Sequence, residues 1–136
     1  MKQEVSRSRR YGAPLSLLVA DVDRLKDIND RGGHAAGNLA LRTVAGALWH
    51  GARGTDLVAR IGGDEFAVIA PNTDADHARG LAERIRTLVS EPDRDGVTVS
   101  IGLATLDPLR PEAAALFQAA DAALYEAKRQ GRNRVV

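Results

Sequence analysis

Leu15-Ser16-Leu17-Leu18-Val19-Ala20-Asp21-Val22-Asp23 decides how the rest of the chain must be arranged. The run Leu15 to Ala20 is almost wholly apolar and too short for a free-standing helix, so it reads as a buried strand. It empties into two carboxylates. With strand alternation, Asp21 and Asp23 leave the strand end on one face, either side of Val22. An isolated Asp-x-Asp is compatible with a solvated strand end. The other reading is a charge site, because two carboxylates so placed repel unless a cation or basic group joins them.

Downstream, a polar, Gly-rich passage runs from Lys26 to Gly37, and Leu41, Val44, Ala45 and Leu48 then recur at the spacing of one helix face, stopped by Gly51 and Gly54. Two short strands, Leu57 to Ile61 and Phe66 to Ala70, are joined through Gly62-Gly63-Asp64, a turn whose glycines tolerate positive φ. Its tip presents Asp64 and Glu65. Thr73 with Asp76 resembles a capping box ahead of an amphipathic helix carrying Ala78, Leu81, Ala82, Ile85 and Leu88, with Pro92 and Gly96 closing it. Val97 to Ala104 is β-branched and reads as a second buried strand. Pro111 opens a last helix with Leu116, Ala120, Ala123, Leu124 and Ala127 inward, ended by Gly131. Upstream, Pro14 ends an opening polar segment. Strand, helix, hairpin, helix, strand, helix predicts an α+β fold, a mainly antiparallel sheet covered on one face by helices.

Composition narrows the function classes. The 136 residues suffice for one core and not for two full domains. No cysteine is present, so there is neither a disulfide framework nor a thiolate zinc site. Nineteen Lys plus Arg against eighteen Asp plus Glu give a net charge of +1, and no general field for nucleic acid or an anionic membrane. The longest apolar stretch falls far short of the roughly 20 residues that span a bilayer. No signal peptide is evident, and a reducing, cytoplasmic setting is expected.

The two acidic pairs gain meaning together, since neighbouring central strands would bring Asp21 and Asp64-Glu65 to one sheet edge. Oxygen ligands of this kind suit Mg2+, with room for substrate phosphates. Lys26 follows the first pair, and Lys128 and Arg132, four apart on or just past the last helix, share a face. They fit either a polyphosphate or simple complementarity to a helix C-terminus. Arg53-Gly54-Thr55-Asp56 is by itself no more than a surface ion pair.

Six segments in order resemble the GGDEF family of diguanylate cyclases: Asp21-Val22-Asp23-Arg24-Leu25-Lys26-Asp27-Ile28-Asn29-Asp30, Gly33-His34-Ala35-Ala36-Gly37-Asn38, Arg60-Ile61-Gly62-Gly63-Asp64-Glu65-Phe66, Val97 to Gly102, Ala120 to Lys128, and Gly131-Arg132-Asn133-Arg134-Val135. The resemblance implies the palm-like, ferredoxin-like fold of nucleotidyl cyclases. It also implies condensation of two GTP to cyclic di-GMP and two pyrophosphates between the protomers of a homodimer. It assigns Asp21, Asp64 and the Val22 carbonyl to Mg2+ or Mn2+. Glu65 would support a second ion, and either Asp64 or Glu65 would take the 3′-hydroxyl proton. The turn amides of Arg24 and Leu25, with Lys26, Lys128 and Arg132, would cradle phosphates, and Asn29 and Asn38 would meet the guanine edge. Arg53 and Asp56 match an inhibitory product site.

Two departures stand out. Asn38 replaces an Asp whose carboxylate would accept from N1–H and the 2-amino group of guanine, which an amide cannot fully match. Leu25 replaces a Phe. The resemblance further implies one domain over 1–136, truncated at its N-terminus, with the sensory or dimerisation region absent. A non-catalytic receptor for GTP or cyclic di-GMP, and a cyclase of relaxed purine specificity, are the alternative readings.

Overall fold

The computed structural model describes residues 1–91 and 96–136. Leu15–Val22 (β1), Leu57–Arg60 (β2), Glu65–Pro71 (β3) and Val99–Thr105 (β4) form one sheet in the order β2-β3-β1-β4, with antiparallel pairing between all neighbours. Lys2–Tyr11 (α1), Leu25–Gly51 (α2), Ala75–Val89 (α3) and Ala113–Arg129 (α4) pack around it. The α+β architecture is therefore as expected, but the helices cover both faces. Leu15, Leu17 and Val19 of β1 join Val5, Leu116, Ala120 and Leu124, whereas Leu18, Ala20 and Val22 meet the α2 and α3 side. The reason lies in β1 itself: a strand apolar at successive positions loses surface on both sides, unlike an alternating one. Each fully buried Leu there contributes roughly 1.5–3 kcal/mol. Ser16, the polar exception, is satisfied by donating to the Thr73 carbonyl at 2.8 Å and pairing with the Thr105 hydroxyl at 2.8 Å.

Other expectations need correction. The opening polar segment forms α1, anchored by buried Val5 and ended at Gly12 with φ 66°. The Gly-rich passage is helical from Leu25 onward, interrupted only at Gly33 (φ 75°, ψ −178°), where α2 kinks. Helix α3 is capped by Asp74, which accepts from the His77 amide at 2.9 Å; Thr73 is buried and donates to the Pro71 carbonyl instead. The proposed stop at Pro92 lies outside the described residues. Helix α4 starts two residues beyond Pro111, and β4 starts at Val99. Among the described residues, no helix is long and apolar enough to cross a membrane.

Gly102 sets the seat of α4. A Cβ there would lie 2.1 Å from the Ala120 carbonyl oxygen and 2.2 Å from the Leu124 nitrogen, so only glycine lets the helix axis come this close to β4. That approach brings the C-terminal turn of α4 to the acidic end of β1.

Candidate active site

The sheet register brings the two acidic pairs together. Asp21 faces Glu65 across β1 and β3, and the Val22 amide donates to the Asp64 carbonyl at 3.1 Å. The hairpin tip is braced by Arg60, which donates from Nε to the Gly62 carbonyl at 3.1 Å and from Nη2 to the Gly63 carbonyl at 2.6 Å. This bracing was legible only as a motif residue; nothing in its spacing announces the role.

Asp21 is the most unusual group in the molecule. Its side chain is 7% exposed, Oδ2 accepts from the Lys128 ammonium, and Oδ1 is buried without a hydrogen-bond partner. An orphaned buried acceptor costs about 1–3 kcal/mol. Burial pushes the Asp21 carboxyl up to about 6; Lys128 opposes that shift and the neighbouring Asp64 carboxyl adds to it. Burial also raises Glu65, reinforced by Asp121 on α4 and by Asp64, with Lys128 opposing. Four carboxylates, Asp21, Asp64, Glu65 and Asp121, thus act on one another around the ammonium of Lys128.

The donor set fits a hard divalent cation: two aspartates, an unpartnered oxygen, and no nitrogen or sulfur ligand. Among the described residues, no group of three or more His, Cys, Asp or Glu side chains is placed to hold a metal ion. Mg2+ commonly takes only one or two carboxylates, together with water and substrate phosphates.

Beside this centre, α2 begins at Arg24 (φ 56°) without a side-chain cap. Its first-turn amides therefore lack intrahelical partners and follow directly on the end of β1, a suitable arrangement for anions. Asn29 lies against Gly37, where a Cβ would fall 1.8 Å from its Oδ1, so the Gly33 kink folds the two halves of α2 together at this point. Asn38 is the next residue and is exposed. Leu25 packs against the core, as its apolar character requires. A cavity of about 690 Å3 opens along α2 next to the end of β1, lined by Asp23, Asp27, Arg31, Leu39, Val97 and Thr98. Of the expected site residues only Arg24 lines it. The acidic groups Asp21, Asp64 and Glu65 lie outside its lining, at the ends of the central strands β1 and β3.

Lys128, in the last turn of α4, pairs with Asp21, and Arg132 does not share its helical face. Helix α4 ends at Arg129, and Arg132 follows in a left-handed turn with φ 66°. Arg53 and Asp56 do meet: Asp56 accepts from the Arg53 amide at 2.8 Å, Nε at 3.2 Å and Nη2 at 3.0 Å. The Asp56 side chain is fully buried and that of Arg53 is 45% exposed, so the guanidinium and not the carboxylate faces outward. The pair lies at the start of β2, roughly 13 Å of strand away from the hairpin tip.

The chain matches the family model described as "Diguanylate cyclase, GGDEF domain" over residues 1–134. It is 40% identical over 141 aligned positions to diguanylate cyclase DosC of Escherichia coli, covering 98% of this chain and 30% of that protein. It is 45% identical over 127 positions to diguanylate cyclase A of Treponema denticola, covering 89% of this chain and 34% of the relative. The chain thus spans about a third of the length of these relatives. Among solved structures, the GGDEF domain of DgcB from Caulobacter crescentus in complex with c-di-GMP superposes with a TM-score of 0.91 at 35% identity, covering 98% of this chain and 83% of that one. A buried aspartate facing the Gly62-Gly63-Asp64-Glu65-Phe66 hairpin, on a fold shared with these proteins, makes the chain a member of the GGDEF-domain family of diguanylate cyclases.

Proposed function

We propose that the domain condenses two GTP to cyclic di-GMP as a homodimer, one nucleotide per protomer. The observation that carries this reading is Asp21, a buried carboxylate with an unpartnered oxygen, set against Asp64 and paired with Lys128. Asp21, Asp64 and the Val22 carbonyl would hold Mg2+. When bound, the ion supplies charge that stabilises phosphate oxygens during an in-line displacement.

The chain's own groups do the rest. The uncapped amides of α2, with Lys26, Lys128 and Arg132, bind the β and γ phosphates, and Asn29 and Asn38 orient the base. The 3′-hydroxyl of one GTP attacks the α-phosphorus of the other. An O–P bond forms, the bond to the leaving pyrophosphate breaks, and the proton passes to Asp64 or Glu65. Repetition by the second hydroxyl closes the ring. Each chain offers one acidic centre and one pair of asparagines, whereas the product contains two guanines; that mismatch is the argument for two protomers.

Mass spectrometry of products from GTP, ATP and their mixture, with Mg2+ at high protein concentration, tests the reading. Cyclic di-GMP is expected; bound but unconverted GTP would favour a receptor instead. Asn38 favours a second reading, relaxed purine choice, because its amide carries one acceptor where guanine offers two donors. Asn38→Asp should raise the rate ratio of GTP to ATP about tenfold, the value of one charge-assisted hydrogen bond. An unchanged ratio would exclude the base-pocket argument.

Product inhibition is assigned to Arg53, held by Asp56 so that its guanidinium can pair with phosphate or stack on guanine. Calorimetry on Arg53→Ala is expected to show at least a tenfold loss of cyclic di-GMP affinity. Equal affinity in both proteins would remove the site from consideration.

A further inference from the structure

The two aspartates of Asp21-Val22-Asp23 have separate jobs. Asp23 is as buried as Asp21, yet its oxygens are fully engaged. Oδ1 accepts from the Ser100 hydroxyl at 2.6 Å; Oδ2 accepts from the Thr98 hydroxyl at 2.7 Å and from the Asn133 amide at 3.0 Å. The Asp23 amide donates to the Thr98 carbonyl at 3.0 Å. One carboxylate therefore ties the end of β1 to the start of β4 and to the turn that follows α4.

That turn is conformationally expensive. Arg132 and Asn133 have φ of 66° and 47°, and consecutive left-handed residues bearing Cβ atoms need external support. The support is visible on both sides. The Arg132 amide donates to the Ala127 carbonyl at 3.0 Å, and Arg86 donates to the Asn133 side-chain oxygen at 3.1 Å. Beyond the turn, Ile101 exchanges backbone bonds with Arg134 at 2.9 Å and Val136 at 3.0 Å. The carboxylate of Asp23 is the link that joins this turn directly to the strand bearing Asp21.

We propose that Asp23 is a positioning residue for triphosphate binding: it fixes the left-handed turn from which Arg132 reaches the phosphates, and leaves cation binding to Asp21. The proposal rests on the reading of Arg132 as a phosphate ligand given above. Its chemistry is specific, since three donors converge on a group that only accepts. Alanine at this position leaves the Asn133 amide unpaired. Asparagine keeps one carbonyl oxygen for Thr98 and Asn133, while the Ser100 hydroxyl turns to accept from the amide.

The test is calorimetry with Mg2+ and two probes, the α,β-methylene analogue of GTP and GMP. Arg132→Ala should weaken the triphosphate about tenfold and leave GMP within twofold; no loss there overturns the phosphate reading itself. Given that loss, Asp23→Ala should match it, Asp23→Asn should stay within about threefold of the unsubstituted protein, and the Asp23→Ala/Arg132→Ala double variant should bind no more weakly than the single ones. Additive losses, equal losses for GMP, or no rescue by Asn would overturn the positioning role. Should Asp23→Ala fail to fold, amide exchange in the unsubstituted protein decides: the Asn133 amide should slow at least fivefold with the triphosphate analogue and not with GMP. Equal exchange with both ligands overturns the proposal.

Discussion

Asp21→Asn should lower cyclic di-GMP formation by roughly a hundredfold or more, while making the metal-free protein more stable near neutral pH. The first effect follows from removing a cation ligand whose contribution is several kcal/mol. The second follows from the sign of the Asp21 shift. Its folded value of about 6 lies above the ordinary 3.8, so the folded state holds the proton more tightly than the unfolded chain does. The stability this confers is complete below about pH 4 and is lost as pH rises through about 6, on the order of 3 kcal/mol in all. A neutral amide does not pass through that loss, although it weakens the pair with Lys128. Melting curves in a chelator at pH 7.5 should place the variant about 5 °C above the unsubstituted protein. The two curves should converge near pH 4. Added Mg2+ should raise the melting temperature of the unsubstituted protein and leave the variant where it is. A variant that melts lower at pH 7.5 without metal would contradict this account of the buried carboxylate.

Joining a dimeric coiled coil ahead of Met1 should raise the turnover per protomer about a hundredfold at concentrations where the unfused domain is monomeric. Converting the encounter of two GTP-loaded domains into an intramolecular event supplies effective concentrations up to the millimolar range. The gain should shrink as protein concentration rises, because the unfused domain then finds partners unaided. Rates measured across a dilution series check this. Equal turnover at every dilution would rule out reaction between two protomers.

The site was more legible in the sequence than the architecture that holds it. Adjacency of Asp21 with Asp64 and Glu65 follows from placing two apolar strands side by side, and the register bears it out. Helix α1 was hidden because a single buried residue, Val5, gives no period to detect. The first half of α2 shows in the sequence only as a polar, Gly-rich passage because Gly32, Gly33 and Gly37 are poor helix formers; only Gly33 breaks the helical backbone, while Gly37 makes room for Asn29. Counting four from Lys128 gives Arg132 the same face, a rule that fails once a helix has ended. Asp23 shared a face with Asp21, as alternation requires, but its donors come from Thr98, Ser100 and Asn133. Such contacts across 75 to 110 positions have no local signal.

The contact at Gly102 makes α4 a ruler for the reaction centre. Its zero point lies where Leu124 touches the sheet, and Lys128 stands one turn further on, about 6 Å along the axis. A single methyl at position 102 has nowhere to go except into the helix, and any lift at Leu124 is carried to the ammonium paired with Asp21. A substitution halfway along β4, a strand that bears none of the acidic side chains, would thus register as a fault in metal and phosphate handling.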